Sequence, residues 1–198
     1  MKKIKTKSQE EKKQKRKQLI IGLILVFVMI ASTFGIVMNS FGEKSNSNEI
    51  INYNGVEFIH QNNYWVFSIE SYNFAILNNP QELEKFQFKG SKTSIKDLST
   101  YVNLPLYIQS NDYYLTNIIT QDFQPFVERI QYACLENNTD CPEDYPIKNC
   151  QNNFIIISYS ENSTSLRQQD NCIFLEGNSE ELVNLTDVFV LKTFRIRE

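Results

Sequence analysis

The sequence of 198 residues contains a single histidine and six glycines, and both shortages exclude familiar kinds of active site. A serine or cysteine hydrolase built on a nucleophile–histidine pair would need His60, and no activated nucleophile is recognisable around it. The glycines are all isolated, so the chain lacks the glycine-rich loop that holds nucleotide phosphates. We therefore interpret His60 as a surface or turn residue and predict no catalytic residue, no metal ligand and no cofactor.

Basic side chains are scarce beyond residue 38. This part of the chain contains eleven lysines and arginines and twenty-one acidic residues, so its formal charge is −10. Nucleic-acid binding needs clustered lysine and arginine, so this acidic region argues against nucleic acid as a partner. The basic residues are concentrated in residues 1–18, MKKIKTKSQEEKKQKRKQ, with nine basic and two acidic side chains. The charge of the chain is therefore strongly divided between its two ends.

Residues 19–38, LIIGLILVFVMIASTFGIVM, carry no charge, and as a helix they would be roughly 30 Å long, the thickness of a bilayer's hydrocarbon core. Basic residues beside a first apolar segment favour a cytoplasmic N-terminus in the cell membrane. A cleaved secretory signal is the alternative, although Ser40-Phe41-Gly42 is a poor small-x-small cleavage site. The predicted organisation is a basic cytoplasmic tail (1–18), a single-pass signal anchor in the lipid bilayer (19–38), a polar tether (39–49) and an extracytoplasmic domain (50–198).

All four cysteines lie in the predicted extracytoplasmic domain, and no two of them form a C-x-x-C pair. Zinc sites and thioredoxin-like redox centres usually contain closely paired cysteines, so the spacing argues against both. An even number of cysteines in an exported region predicts two structural disulfides. Four cysteines allow three pairings, and we favour Cys141–Cys150 together with Cys134–Cys172.

Three N-x-[ST] glycosylation motifs begin at Asn137, Asn162 and Asn184 in the predicted extracytoplasmic domain. Asn162 and Asn137 are the expected acceptors because both fall in predicted loops, whereas Asn184 falls on the last predicted helix.

The densest acidic cluster contains Asp140, Glu143 and Asp144. It lacks the alternating ligands and the glycine of an EF-hand calcium loop, so we interpret it as a solvated loop.

The beginning of the domain predicts an antiparallel meander. Three runs rich in aromatic and β-branched residues are separated by short polar turns, and they span residues 56–60, 64–69 and 72–77. Pro80 then suits the first turn of a short helix over residues 81–86.

The remainder of the domain predicts further strands and two longer helices. The strands are residues 104–109, 153–160 and 172–176, of which 153–160 is almost continuously apolar and therefore central in a sheet. Apolar spacing of three and four predicts a helix over residues 122–136, capped by Asp122, and Asn178 with Glu181 forms the capping box of the final helix. The fold class is α+β with a mixed sheet, two to three packed helices and a possible βαβ crossover within residues 104–160.

Three short motifs carry a resemblance to a known group of proteins. They are Asn54-Gly55…Phe58, Asn149-Cys150…Ile155-Ile156 and Asp170-Asn171-Cys172-Ile173…Gly177. In these segments the domain resembles uncharacterised single-pass membrane-anchored proteins of small-genome archaea. The resemblance implies no activity, cofactor or catalytic residue.

These observations favour a non-enzymatic cell-surface module that binds another envelope protein or an extracellular ligand. One alternative is an exported hydrolase that uses aspartate and glutamate, because such carboxylates need only meet in space. Another is a structural subunit of an envelope assembly, which predicts a large apolar patch on the domain or self-association within the membrane.

Overall fold

The computed structural model describes residues 49–136 and 138–197. The predicted tail, the predicted membrane span and almost all of the predicted tether therefore lie outside the described residues. Within the described ranges, no helix is both long and apolar enough to cross a membrane.

Four consecutive strands form an antiparallel sheet whose spatial order is also their chain order. They are β1 (Ile50–Tyr53), β2 (Val56–Gln61), β3 (Tyr64–Ile69) and β4 (Tyr72–Ile76). The predicted meander is confirmed, and β1 is an additional strand at its edge. Phe58, Phe67 and Phe74 occupy matched positions on three neighbouring strands, and their rings follow one another at 4.8 and 5.3 Å between centroids.

Two-residue turns set the register of the meander. Asn54-Gly55 and Asn62-Asn63 both have positive φ at their two central positions, as the tightest β-hairpins require. Asparagine tolerates this left-handed backbone better than most residues, and glycine adopts it freely. The registers fixed by these turns place Phe58, Trp65 and Phe67 on the buried face.

The second sheet has five strands in the order β10-β11-β9-β5-β6. Its strands are β5 (Pro105–Gln109), β6 (Arg129–Tyr132), β9 (Asn153–Tyr159), β10 (Ser165–Gln169) and β11 (Cys172–Gly177). Four of them are parallel, and only the edge strand β10 is antiparallel to its neighbour. The first five residues of β9 are buried, so the apolar run at 153–160 is a central strand as predicted.

The chain changes direction across this sheet at the pair β5 and β9. From β5 it continues to β6 on one side, and from β9 it continues through β10 to β11 on the other side. A small parallel pair, β7 (Cys134–Leu135) with β8 (Ile147–Lys148), lies between β6 and β9 in the chain. Parallel strands leave their carboxyl ends at the same edge, and a crevice is expected where the strand order reverses.

The helices are α1 (Pro80–Leu83), α2 (Tyr113–Phe123) and α3 (Ser179–Thr193), with a 3₁₀ turn at Leu98–Thr100. The prediction of a helix over residues 122–136 is wrong. Asp112, not Asp122, caps the helix, by accepting a hydrogen bond from the backbone N–H of Leu115 at 3.0 Å. Pro125 follows the helix end rather than its start, because proline cannot continue a helix.

One hydrophobic core joins both sheets to α2 and α3. The ring of Phe123 on α2 stacks on that of Phe189 on α3, with the two centroids 5.6 Å apart. The predicted capping box at the start of α3 is confirmed: the Asn178 side chain and the Glu181 side chain each accept a hydrogen bond from the other residue's backbone N–H. The fold is therefore α+β, as the sequence predicts.

The four cysteines form two disulfides, as expected, but the favoured pairing is wrong. Cys134 is bonded to Cys141, and Cys150 is bonded to Cys172. Because β9 and β11 are parallel neighbours, Cys150, just before β9, lies beside Cys172 at the start of β11. The prediction failed because it placed Cys134 on a helix, whereas this residue begins the short strand β7.

Candidate functional site

A cleft of about 770 Å³ opens at the carboxyl ends of β5 and β9, where the strand order reverses. Gln109 ends β5, and Ile157 to Tyr159 end β9. The first residues of α2 and α3, Tyr113 and Ser179, also line the cleft. Its volume lies within the range of roughly 300–1,000 Å³ that is usual for small-ligand sites.

The turn between β5 and α2 forms one wall of the cleft and is held by its own side chains. The Ser110 hydroxyl accepts a hydrogen bond from the backbone N–H of Asp112 at 2.9 Å. The Asp112 carboxylate is in turn occupied as the cap of α2. These bonds fix the direction in which the chain leaves the sheet, and they position Tyr113 at the rim.

The start of α3 is also satisfied internally. Hydrogen bonds from the Thr164 side chain and from the backbone N–H of Asn178 lower the pKa of Glu181. Asp112 and Glu181 therefore place a carboxylate at the positive end of each helix. This arrangement leaves neither helix end as an open site for an anion.

The opposite wall is the loop closed by the Cys134–Cys141 disulfide. The Leu135 backbone N–H donates to Gln109 Oε1 at 2.7 Å, and this bond ties the loop to the end of β5. The Tyr145 ring stacks on Tyr132 with centroids 5.7 Å apart, which supports the loop from behind. The two cysteines that close this loop are only seven positions apart in the sequence, and these contacts hold the short loop against the sheet.

The cleft has an apolar floor and a polar, aromatic rim. Its buried floor consists of Ala133, Cys134, Ile157 and Leu182. At the rim, the side chains of Tyr113 and Tyr159 are 80% and 63% exposed.

Further polar groups at the rim come from Asn111, Asp140, Ser158 and Ser179, whose side chains make no hydrogen bond within the described part of the chain. None of the described residues that line the cleft is lysine, arginine or histidine.

The residues singled out from the sequence mostly lie away from this cleft. His60 stacks on Trp65 within the meander, with ring centroids 4.8 Å apart. Asn162 is exposed in the turn after β9, where a glycan would be accommodated, and Asn137 lies outside the described residues. Of the acidic cluster, only Asp140 lines the cleft. No cluster of three or more metal-binding side chains occurs in residues 49–136 and 138–197.

Two buried carboxyl groups hold the meander against the helices; the sequence predicted Asp122 only as a helix cap and did not single out Asp187. Asp187 on α3 accepts hydrogen bonds from the backbone N–H groups of Leu77 and Asn78, at 3.1 and 2.8 Å. Asp122 on α2 accepts one from the Ala75 N–H at 3.3 Å. The sequence feature that points to these two groups is an aspartate on the apolar face of each helix, next to Phe123 in α2 and next to Val188 in α3.

Burial in the core is the main influence on both of these carboxyl groups. It raises the pKa of Asp122 and the pKa of Asp187 to about 7, against the opposing effect of the hydrogen bonds they accept. The second oxygen of Asp122 is buried without a hydrogen-bond partner in the described structure. Neither group lines the cleft, so their role is to attach β4 to the helices.

Comparisons of the chain with models of known protein families, with curated proteins and with solved structures gave no significant match. The resemblance to membrane-anchored archaeal proteins therefore stays a prediction, and the site is defined by its geometry alone.

Proposed function

We propose that this protein is a membrane-anchored cell-surface binding module whose extracytoplasmic domain holds an extracellular ligand in the β5/β9 cleft. The observation that carries the proposal is the position of the cleft, at the carboxyl ends of two parallel strands where the strand order reverses. Open sheets with parallel strands bind their ligands at this position because two loops leave in opposite directions and create a crevice.

The location of the domain outside the cytoplasm is supported by its disulfides. Two disulfides in a domain of this size are typical of an oxidising compartment. The uncharged run at residues 19–38 and the basic residues before it support an anchor with its N-terminus in the cytoplasm. Extraction of native membranes at alkaline pH should leave the full-length chain in the membrane fraction. A mature protein beginning near Gly42 would refute the anchor.

A binding role is favoured over catalysis by the assignments of the charged groups. The carboxyl groups whose pKa is raised to about 7, Asp122 and Asp187, bind the backbone that follows β4 or lies within it. The Asp112 carboxylate, which lines the cleft, is occupied as the cap of α2. His60 lies on β2 in the meander and does not line the cleft. The cleft thus offers contact surface and hydrogen-bonding groups rather than an activated nucleophile.

The experiment is a small-molecule screen by thermal unfolding of the purified full-length chain and of two tryptophan variants. Ser158→Trp fills the cleft from an exposed position on β9, whereas Glu57→Trp adds the same ring to an exposed position on β2. We expect at least one class of ligand to raise the unfolding temperature of the unsubstituted chain and of E57W, but not of S158W. Ligands that stabilise S158W equally would refute the cleft as the binding site.

An exported hydrolase is the second candidate, because Asp112 and Asp140 line the same cleft. Hydrolysis with a pair of carboxyl groups needs one group that can act as an acid or base on a bound substrate. If the cleft is catalytic, Asp140→Asn should abolish turnover. If the cleft only binds, neither the unsubstituted chain nor D140N should show turnover. Release of reducing sugar from added oligosaccharides, lost in D140N, would establish the hydrolase.

A further inference from the structure

The chemistry of the cleft identifies a class of ligand, and this inference rests on the proposed function. We infer that the cleft binds a neutral carbohydrate, with Tyr113 and Tyr159 as stacking surfaces at its rim. Sugars present two kinds of surface to a protein: faces of C–H groups that pack on aromatic rings, and edges of hydroxyl groups that form hydrogen bonds. The cleft offers both kinds of partner within one concave surface.

The exposure of the two tyrosines is the first observation. Tyr113 and Tyr159 are the two most exposed large hydrophobic residues in the described part of the chain, at 80% and 63%, and both lie at the rim of a concave surface. The Tyr159 hydroxyl donates to Glu161 Oε1 at 3.2 Å, and this bond orients the ring before any ligand arrives. Tyr113 is the first residue of α2, which fixes its backbone at the rim. A ring that is already oriented, as that of Tyr159 is, loses less conformational freedom on binding.

The charge of the cleft is the second observation, and it argues against an anionic ligand. The described lining contains Asp112 and Asp140 and no basic side chain. Both helix N-termini at the cleft already have a carboxylate of their own, from Asp112 and Glu181. The chain beyond residue 38 also carries a formal charge of −10, which repels phosphorylated or carboxylated ligands.

The distribution of polar groups is the third observation. Side chains of Asn111, Asp140 and Ser158 line the rim and make no hydrogen bond within the described part of the chain. Amide, carboxylate and hydroxyl groups together can donate to and accept from vicinal hydroxyl groups. The apolar floor beneath them, which includes Ile157 and Leu182, suits the C–H face of a sugar ring.

The test is a panel of neutral oligosaccharides of glucose, mannose and N-acetylglucosamine, measured against the purified full-length chain by isothermal titration calorimetry. Tyr113→Ala and Tyr159→Ala should each weaken the best neutral binder by roughly ten-fold, because each removes a stacking ring. Tyr113→Phe and Tyr159→Phe keep the ring and should retain most of the affinity. Tyr114→Ala is the matched control, because Tyr114 is exposed beside Tyr113 but does not line the cleft.

Separate arms distinguish this inference from the proposed function. Inorganic phosphate, oligosaccharides of uronic acids and calcium chloride are titrated under the same conditions, with S158W as the blocked cleft. Binding of phosphate, a uronic acid oligosaccharide or calcium that S158W abolishes would overturn the inference of a neutral carbohydrate ligand and leave the cleft as a binding site. Neutral binding that S158W and Y113A leave unchanged would overturn both. The same glycan on a neutral glycolipid in vesicles shows whether the physiological form is free or surface-bound.

Discussion

The two sheets of this domain share one core but differ in how they are assembled and in what they carry. The meander, β1 to β4, is built from consecutive strands joined by short turns, and none of the described residues that line the cleft belongs to it. The second sheet also pairs strands that lie far apart in the chain, as β5 and β9 do. It carries the cleft, and both disulfides lie beside it.

The difference teaches where a binding site can arise in this fold. A meander of neighbouring strands has its turns at both ends and no point at which the strand order reverses. The parallel pair β5 and β9 has its carboxyl ends at one edge, with the chain leaving in two directions. We therefore assign the meander a stabilising role and the second sheet a binding role, and the following variants test that division.

The largest expected effect is on the aromatic core of the meander. Phe67 contacts the rings of Phe58, Phe74 and Phe194, and its side chain is buried. Phe67→Ala should lower the free energy of unfolding by about 3–5 kcal/mol, through lost burial and the cavity left behind. Urea unfolding of the full-length chain measures it. Tyr159→Ala, an exposed aromatic residue of the cleft, is the comparison, and a loss of similar size there would break the division.

The same contrast between the two sheets explains which parts of the fold could be predicted from the sequence. The meander was predictable because alternation and turn residues act over a few positions, as at Asn54-Gly55 and Asn62-Asn63. The capping box at Asn178 was predictable for the same reason. The prediction of a helix at 122–136 was wrong because Phe123, Phe126 and Ile130 fit a helical spacing, although Phe123 ends α2, Phe126 lies in the following turn and Ile130 lies in β6.

The site itself depends on pairings that no local pattern contains. Gln109 and Ser158 become neighbours only because β5 and β9 lie side by side. The disulfide pairing likewise follows from the β9–β11 register, which brings Cys150 to Cys172. A strand order fixed by non-local burial cannot be read from spacing alone.

The two disulfides should differ in their effect on binding. On the entropy model, removing Cys150–Cys172 by alanine substitution should lower the free energy of unfolding by about 3 kcal/mol. Removing Cys134–Cys141 should lower it by about 2.5 kcal/mol, because this disulfide closes a shorter loop. Only the Cys134–Cys141 loop forms a wall of the cleft, so only C134A/C141A should also weaken ligand binding. Calorimetry on the two double variants decides it, and equal loss of binding in both would contradict the assignment.

A smaller effect, dependent on pH, is expected where the meander meets the helices. Burial raises the pKa of Asp122 to about 7 in the folded protein, above its unfolded value. Such a group stabilises the fold fully below about pH 4, and this contribution is lost as pH rises through about 7. Asp122→Asn should therefore raise the free energy of unfolding at pH 8 by on the order of 1–2 kcal/mol and change it little at pH 4.

Urea unfolding at the two pH values measures this change. Asp140→Asn is the matched control, because it makes the same change at a residue that is exposed at the cleft rim rather than buried in the core. An equal effect of D122N at both pH values would mean that the buried carboxyl group does not titrate between them.

Hydrogen–deuterium exchange of the full-length chain, with and without the best neutral oligosaccharide, tests the cleft assignment most directly. We predict that the ligand slows amide exchange in residues 109–113, 138–145 and 157–159, which surround the cleft, and leaves residues 50–76 of the meander unchanged. Slower exchange confined to the meander, with none around the cleft, would contradict the account.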